Sequence, residues 1–460
     1  MPRSTSCSRR PRFWGAPLLA LALGAGVTAC EDVLDVSNPN NVVGEDLLLT
    51  TAMKGVVNGA LFTVQAGYAY MLAPYSTVSD ELHWIGSRDA WFELELGTPD
   101  NPANEFTDAA FKDFAPGRWM ADEAIEIMQM HVDSGVAGAD TLLARAKLYA
   151  GIIYVTIADW FDDFALSDRR DVAPPIGEDN MNTLYTTAIG YLTDALATTG
   201  ISSDLRRNLL AVRARAYHSA GVWSKIGPSS ATFPVANPLV TDANAVADAN
   251  AALAVDNSDW IYQFDYGAST VWSDIGWEVN ARLELRFSDD YIIPTADDNG
   301  RDVTAPDNGI ALQDPLDGVG DPRLAVIMAG FEAGERYADL TIATAREMYL
   351  ILAEDALARG DTAAFTTNIN QVRTMGGMTN MWSTASATTA QDMLIHERRV
   401  NLYLQGRRLN DMYRFGIQSS MWQPTRSAVT NPGTFLPITK AEIDANCFLN
   451  PEWPPDVPCP

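Results

Sequence analysis

The chain has 460 residues, 47% hydrophobic and 20% charged, with 59 acidic against 32 basic side chains and a formal net charge of −27. This composition supports an ample core and excludes disorder throughout. The acidic balance makes nucleic acid and anionic lipid surfaces poor electrostatic partners.

At the start, Arg3, Arg9, Arg10 and Arg12 precede an apolar run from Phe13 to Val27 broken by Gly15, Pro17, Gly24 and Gly26. The run is too short and glycine-rich to span a membrane, and its basic-then-apolar order is that of an export signal. It ends Val27-Thr28-Ala29-Cys30, which resembles the bacterial lipobox. On that reading residues 1–29 are a lipoprotein signal peptide, Cys30 is the lipid attachment site and 30–44 is a tether. A general secretory signal cut nearby is the alternative. Cleavage leaves 28 basic against 59 acidic residues, a net of −31, so membrane attachment must come from acyl chains. Each buried methylene contributes about 0.8 kcal/mol to that attachment. With Cys7 in the signal and Cys30 lipidated, Cys447 and Cys459 remain as a disulfide pair across a Pro-rich tail. Such a short loop is worth about 3 kcal/mol in the chain-entropy model.

A stretch with few breakers predicts a first helix over 45–68. Ser79-Asp80-Glu81-Leu82-His83-Trp84 follows. Adjacent acids point apart in a strand or helix, so Asp80 and Glu81 do not indicate a paired-carboxylate hydrolase site and read as loop or capping residues. From Asp122 to Tyr154 the apolar spacing is helical, and runs around Tyr191, Tyr217 and Ala249 repeat the theme with small residues and tyrosines. Tyr149 and Tyr217 lie two 34-residue tetratricopeptide periods apart. Between about 256 and 341 the periodicity fails, and Gly, Pro, Asp and aromatic residues dominate. That predicts a loop-rich segment with short strands mounted on a helical scaffold. Tyr349 to Arg373 reads as a hairpin, with Gly360 ending one helix and Asp361 capping the next. Near the end, Thr439 and Glu442 form a capping-box pattern.

The most informative stretch is His396-Glu397-Arg398-Arg399-Val400-Asn401-Leu402-Tyr403-Leu404-Gln405-Gly406-Arg407-Arg408-Leu409-Asn410-Asp411-Met412-Tyr413-Arg414-Phe415-Gly416. Its apolar spacing predicts two helices meeting at Gly406. Arg408 and Arg414 each lie three positions from Asp411, so Glu397, Arg408, Asp411 and Arg414 are expected to form a structural ion-pair cluster. No catalytic nucleophile stands nearby, and His396-Glu397 lacks a second His at zinc-binding spacing.

This stretch resembles the E-R-R-x-E-L-x-x-E-G-x-R-x-x-D-L-x-R-x-G signature of the SusD/RagB family, with Asn401 and Gln405 where the family usually has acids. Ser79-Asp80-Glu81, the 349–376 hairpin and Pro437-Ile438 through Asn446 resemble further family segments. The resemblance implies a mainly α fold, an irregular tetratricopeptide-like scaffold forming one domain over 45–460. It also implies a non-enzymatic outer-membrane lipoprotein, facing the cell exterior, that captures oligosaccharides or other nutrients as the lid of a SusC-like TonB-dependent transporter.

Independently of that resemblance, the chain has 12 tryptophans, and two groups fall in irregular segments: Trp84 and Trp91, then Trp260, Trp272 and Trp277 with Tyr291. Aromatic rings pack on the C–H faces of sugars, so Trp84, Trp91, Trp272, Trp277 and Tyr291 are candidate ligand-binding residues; plugging the core beneath long loops is the alternative. No P-loop, dinucleotide fingerprint, zinc spacing or G-x-S-x-G elbow occurs, so no cofactor or metal is expected. An anchored or secreted glycoside hydrolase and a protein-binding scaffold are the competing functions.

Overall fold

In the computed structural model, residues 44–168, 170–228, 232–296, 302–303, 309–454 and 459 are described. The expected signal peptide, Cys30 and nearly all of the tether lie outside them. Gly44–Leu48 forms a 3-10 turn, and all later elements belong to the unit of residues 49–460.

Helix α1 (Met53–Val78) leads into strand β1 (Leu82–Trp84), the short α2 (Asp89–Glu95) and the long α3 (Glu105–Asp133). The sequence predicts an end to α1 near Tyr68, yet it continues through Pro74. Its last ten residues include Met71, Leu72, Tyr75 and Val78, all buried, and that burial outweighs the lost backbone bond. The Asn104 side chain caps α3 by accepting from the Phe106 and Thr107 N–H groups at 3.1 and 3.3 Å.

Next come α4 (Ala139–Trp160), α5 (Asn182–Ala197), α6 (Ser203–Ile226) and α7 (Ala243–Val255). Each packs on its predecessor, as small residues along their faces allow. Helix α4 is long and apolar enough to cross a bilayer, but 83% of its apolar window is buried inside the scaffold.

Residues 256–341 are stitched to the scaffold at two places. Strand β2 (Ile261–Phe264) pairs antiparallel with β6 (Leu340–Thr344), and β3 (Leu285–Phe287) pairs antiparallel with β1. Between these strands lie the one-turn α8 (Asp274–Gly276), a π-turn (Trp277–Ala281), the small β4–β5 pair (Thr295–Ala296 with Asp302–Val303) and helix α9 (Pro322–Ala333). Helix α9 has no counterpart in the sequence reading of a loop-rich segment. Its signature was present in Asp321, whose carboxylate caps the helix, and in Pro322 at its first turn.

The chain returns to helical hairpins with α10 (Ala345–Ala358) and α11 (Thr362–Met375), joined where Gly360 adopts φ +75° and the Asp361 carboxylate accepts from the Ala364 N–H at 3.0 Å. Helices α12 (Ala390–Asn401), α13 (Arg408–Phe415), α14 (Ser427–Thr430) and α15 (Lys440–Ala445) complete it. One apolar cluster joins α6, α7, β6 and α10 through Ala214, Ala249, Trp260, Ala343 and Met348; a second joins α10 to α12 through Leu350, Phe365, Val372 and Met393.

The expected capping box is not formed. The Thr439 hydroxyl is buried without a partner among the described residues, and Glu442 instead accepts from Ser167 and Asn446, at 2.9 Å each. Cys447 and Cys459 are joined by a disulfide, their Cα atoms 5.6 Å apart.

Candidate ligand-binding site

The C-terminal stretch folds as two helices separated by residues 402–407, where Leu404 and Gly406 both take left-handed φ values of +53° and +66°. Apart from half-buried Arg399 its charged residues are buried, but they do not form the single expected cluster. Asp411 accepts from Arg398 at 2.8 Å and from Arg414, 2.8 Å from its carboxylate. Arg408 turns away and pairs bidentately with Asp80, both contacts at 2.7 Å. Glu397 takes Arg323 at 2.5 Å and Arg373 at 2.8 Å. Arg407 pairs with Asp159 of α4, and Arg414 also reaches Glu354 of α10.

Asp80 and Glu81 lie in the loop between α1 and β1, as local sequence indicates, but neither caps a helix; both are buried there as partners of the C-terminal motif. Burial pushes the Asp80 carboxyl up, but the Arg408 and Arg399 guanidinium groups outweigh it and hold the pKa down at about 2. Glu81 accepts from the Leu404 N–H at 2.7 Å and from the Ser76 hydroxyl at 3.0 Å, pinning the left-handed turn. Burial dominates there and raises its pKa to about 7.

Asp314, His396 and Glu397 bring potential ligand atoms within 4.8 Å of one another. However, Arg373 and Arg323 already fill the cation positions of this cluster, and His396 bonds Asp321 at 2.9 Å. It reads as part of the core.

The five candidate aromatic residues divide. Trp91 is 1% exposed and stacks on Phe106 at 3.8 Å. Tyr291 is fully buried, with its hydroxyl 3.2 Å from Asp80 and Arg399 over its ring. Neither can touch a ligand, because these rings fill space beneath the loops. Trp260 is likewise in the core. Trp84 is half-buried against Phe92, and its indole N–H has no partner among the described residues.

Trp272 and Trp277 form the platform. Their rings stack with centroids 5.6 Å apart and planes 9° from parallel, and Trp272 remains 40% exposed. Its Nε1 donates to the Tyr70 hydroxyl of α1 at 3.0 Å, which fixes the ring's orientation, while Arg336 lies over the Trp277 ring at 5.1 Å. The backbone beneath is tied down: Ser273 N–H donates to Arg336 O at 2.9 Å, and the Asn280 amide donates to Phe331 O and Glu335 O. Left-handed Leu283 and Glu335, with the π-turn, mark this segment as locally strained, as binding sites often are. Tyr70 was missed in the sequence because it falls just beyond the predicted end of the first helix, where no local pattern sets it apart; the structure places it within α1.

An acidic group accompanies the platform. Burial, then Glu278 and Asp113, push the Asp274 carboxyl up to about 8, against a smaller opposing effect of Arg282. Burial also raises Glu278, whose Oε1 accepts from Arg282 at 2.8 Å while its Oε2 has no partner among the described residues. At neutral pH Asp274 is thus mostly protonated, able to donate as well as accept.

Residues 345–450 match the sequence profile of the SusD family. No curated protein matches this chain by sequence. Solved structures with similar folds include a SusD superfamily protein from Bacteroides vulgatus (13% identity, 89% of this chain and 99% of that one, TM-score 0.60). A SusD homolog from Bacteroides thetaiotaomicron is similar over 87% of this chain and 96% of its own, at 13% identity and TM-score 0.59. A SusD-like carbohydrate binding protein from Bacteroides vulgatus is similar over 79% and 83%, at 14% identity and TM-score 0.53. Fold and site together define a helical-hairpin scaffold that presents aromatic side chains from an inserted segment. Residues 345–450 carry the SusD-family sequence pattern, on a fold shared with solved SusD superfamily structures.

Proposed function

We propose that this protein is a cell-surface lipoprotein, anchored in the outer membrane through Cys30, that binds an oligosaccharide on the Trp272–Trp277 platform. It hands the ligand unaltered to a SusC-like TonB-dependent transporter. The observation that carries this reading is the exposed Trp272 ring, held parallel to Trp277 and pinned by Tyr70. Two rings 5.6 Å apart leave no slot between them, so a sugar packs on the free face of Trp272. A related fold described as carbohydrate binding supports the ligand class. Glu278 is buried and engaged with Arg282, which argues against a pair of free carboxyls at hydrolytic spacing.

In affinity gels containing the recognised polysaccharide, Trp272→Ala is expected to weaken retention at least about tenfold, as loss of a stacking ring typically does, with thermal stability nearly unchanged. Retention of the wild type should also fall as pH rises through about 8, where Asp274 ionises and loses its donor, and Asp274→Asn should abolish that dependence. Shortening of the glycan by purified wild type, lost in Asp274→Asn, would transfer the assignment to the hydrolase reading. Anchoring is tested separately. Wild type should fractionate with membranes in a host that processes lipoproteins, and Cys30→Ala should not; equal recovery of both in membranes would refute the anchor.

A further inference from the structure

The Tyr70 side chain reaches the rim of the aromatic platform from α1, and its hydroxyl uses only half of its bonding capacity there. It accepts from Trp272 Nε1 at 3.0 Å, in a bond that lies at the surface. Its own O–H meets no acceptor among the described residues. A phenol both donates and accepts, so one donor is left over at the edge of the exposed Trp272 ring. Tyr70 is half-buried, which holds that donor in place while solvent still reaches it.

This is where a stacked sugar presents its oxygens. A pyranose lying on the free face of Trp272 turns C–H bonds to the indole and carries its hydroxyls outward past the ring edge. Trp277 backs the other face with planes 9° apart, so the Trp272 ring offers one flat surface. A flat surface suits a sugar without axial hydroxyls, whose two faces carry only C–H bonds.

Charge around the hydroxyl disfavours an acidic sugar. Burial raises the Tyr70 pKa more than the Trp272 bond lowers it, and the nearby carboxyls of Asp274, Asp113 and Glu278 raise it further, so the phenol keeps its proton. The neighbouring arginines are engaged, Arg282 with Glu278 at 2.8 Å and Arg336 on the Trp277 ring. Asp113 stands exposed with no ion-pair partner among the described residues, so a ligand carboxylate would meet an uncompensated negative charge.

We propose that Tyr70 contacts the ligand directly, its O–H donating to a hydroxyl oxygen of a neutral, all-equatorial pyranose unit stacked on Trp272. This rests on the glycan site proposed at Trp272 and narrows its ligand class.

The test uses two probes, by saturation-transfer NMR and titration of the purified protein: cellotetraose, a chain of all-equatorial glucose units, and the β-1,4-glucuronan tetramer, the same backbone with a carboxylate on each unit. Cellotetraose should bind wild type with Kd on the order of 0.1–1 mM. The glucuronan tetramer should bind at least about tenfold more weakly. Tyr70→Phe should weaken cellotetraose binding about three- to tenfold. Support of the ring and contact with the sugar are separated in Trp272→Phe, which keeps a stacking ring but has no N–H for Tyr70 to hold. Adding Tyr70→Phe to that variant should weaken binding by about the same factor again. No further loss there would overturn the direct contact and leave Tyr70 as a support only. Equal or tighter binding of the glucuronan tetramer would overturn the neutral class, and no saturation transfer from wild type to cellotetraose would overturn the all-equatorial one. Trp272→Ala should lose most cellotetraose binding. Undiminished binding in that variant would overturn the platform itself, whereas a failure confined to the Tyr70 variants leaves the platform standing.

Discussion

Asp80→Ala is expected to lower folding stability by about 3–5 kcal/mol, because it strands buried Arg408 and half-buried Arg399 without their shared carboxylate. Asp80 holds Arg408 through two contacts of 2.7 Å and Arg399 through one of 3.1 Å. The desolvation cost of those guanidinium groups remains after the partner is gone. Urea unfolding at pH 7 measures the loss, and a change below about 1 kcal/mol would show that the pair contributes little, as exposed ion pairs do. The pH dependence has a definite sign. The Asp80 pKa in the folded protein, about 2, is below its usual 3.8, so its contribution is present above the unfolded value and lost as pH falls through about 2. Acid titration of wild type and Asp80→Ala should therefore converge at the acid end.

Gly406→Ala is expected to cost about 2–5 kcal/mol, combining about 1–2 for a left-handed non-glycine residue with about 1–3 for overpacking. Gly406 has φ +66°, and a Cβ there would overlap the Trp160 indole, whose Nε1 donates to Gly406 O at 2.9 Å. The turn cannot move away without breaking that bond and the neighbouring Leu404–Glu81 contact. Gly190→Ala is the matched control. It lies within α5, where an added Cβ meets nothing within 4 Å, and should be neutral or stabilising by about 0.5–1 kcal/mol. Thermal denaturation of the two variants separates the close approach at 406 from a general intolerance of glycine replacement.

Local signals explain what the sequence reading recovered. The 349–373 hairpin was legible because Gly360 and Asp361 act through bonds spanning three or four residues, and the break at Gly406 because a glycine there interrupts the apolar spacing. The C-terminal motif was legible as a block, since its residues are contiguous. Its partners were not. Arg408 lies three positions from Asp411 but bonds Asp80, 328 positions away, because the start of α13 faces the end of α1 and not its own next turn. Glu397 likewise finds Arg323 and Arg373, on α9 and α11.

Aromatic function showed the same division. Composition and loop position singled out Trp84, Trp91, Trp272, Trp277 and Tyr291 alike, since a ring suits a core or a ligand face equally well. Only packing separated them: Trp91 meets Phe106 and Tyr291 meets Arg399 and Tyr403, whereas Trp272 has one face on Trp277 and remains exposed. Periodicity and capping, which act over a few residues, thus determined the helical class and its hairpins from sequence alone. The ion-pair partners, the exposed ring and its Tyr70 contact were decided by the tertiary structure, because each depends on contacts between residues far apart in the chain.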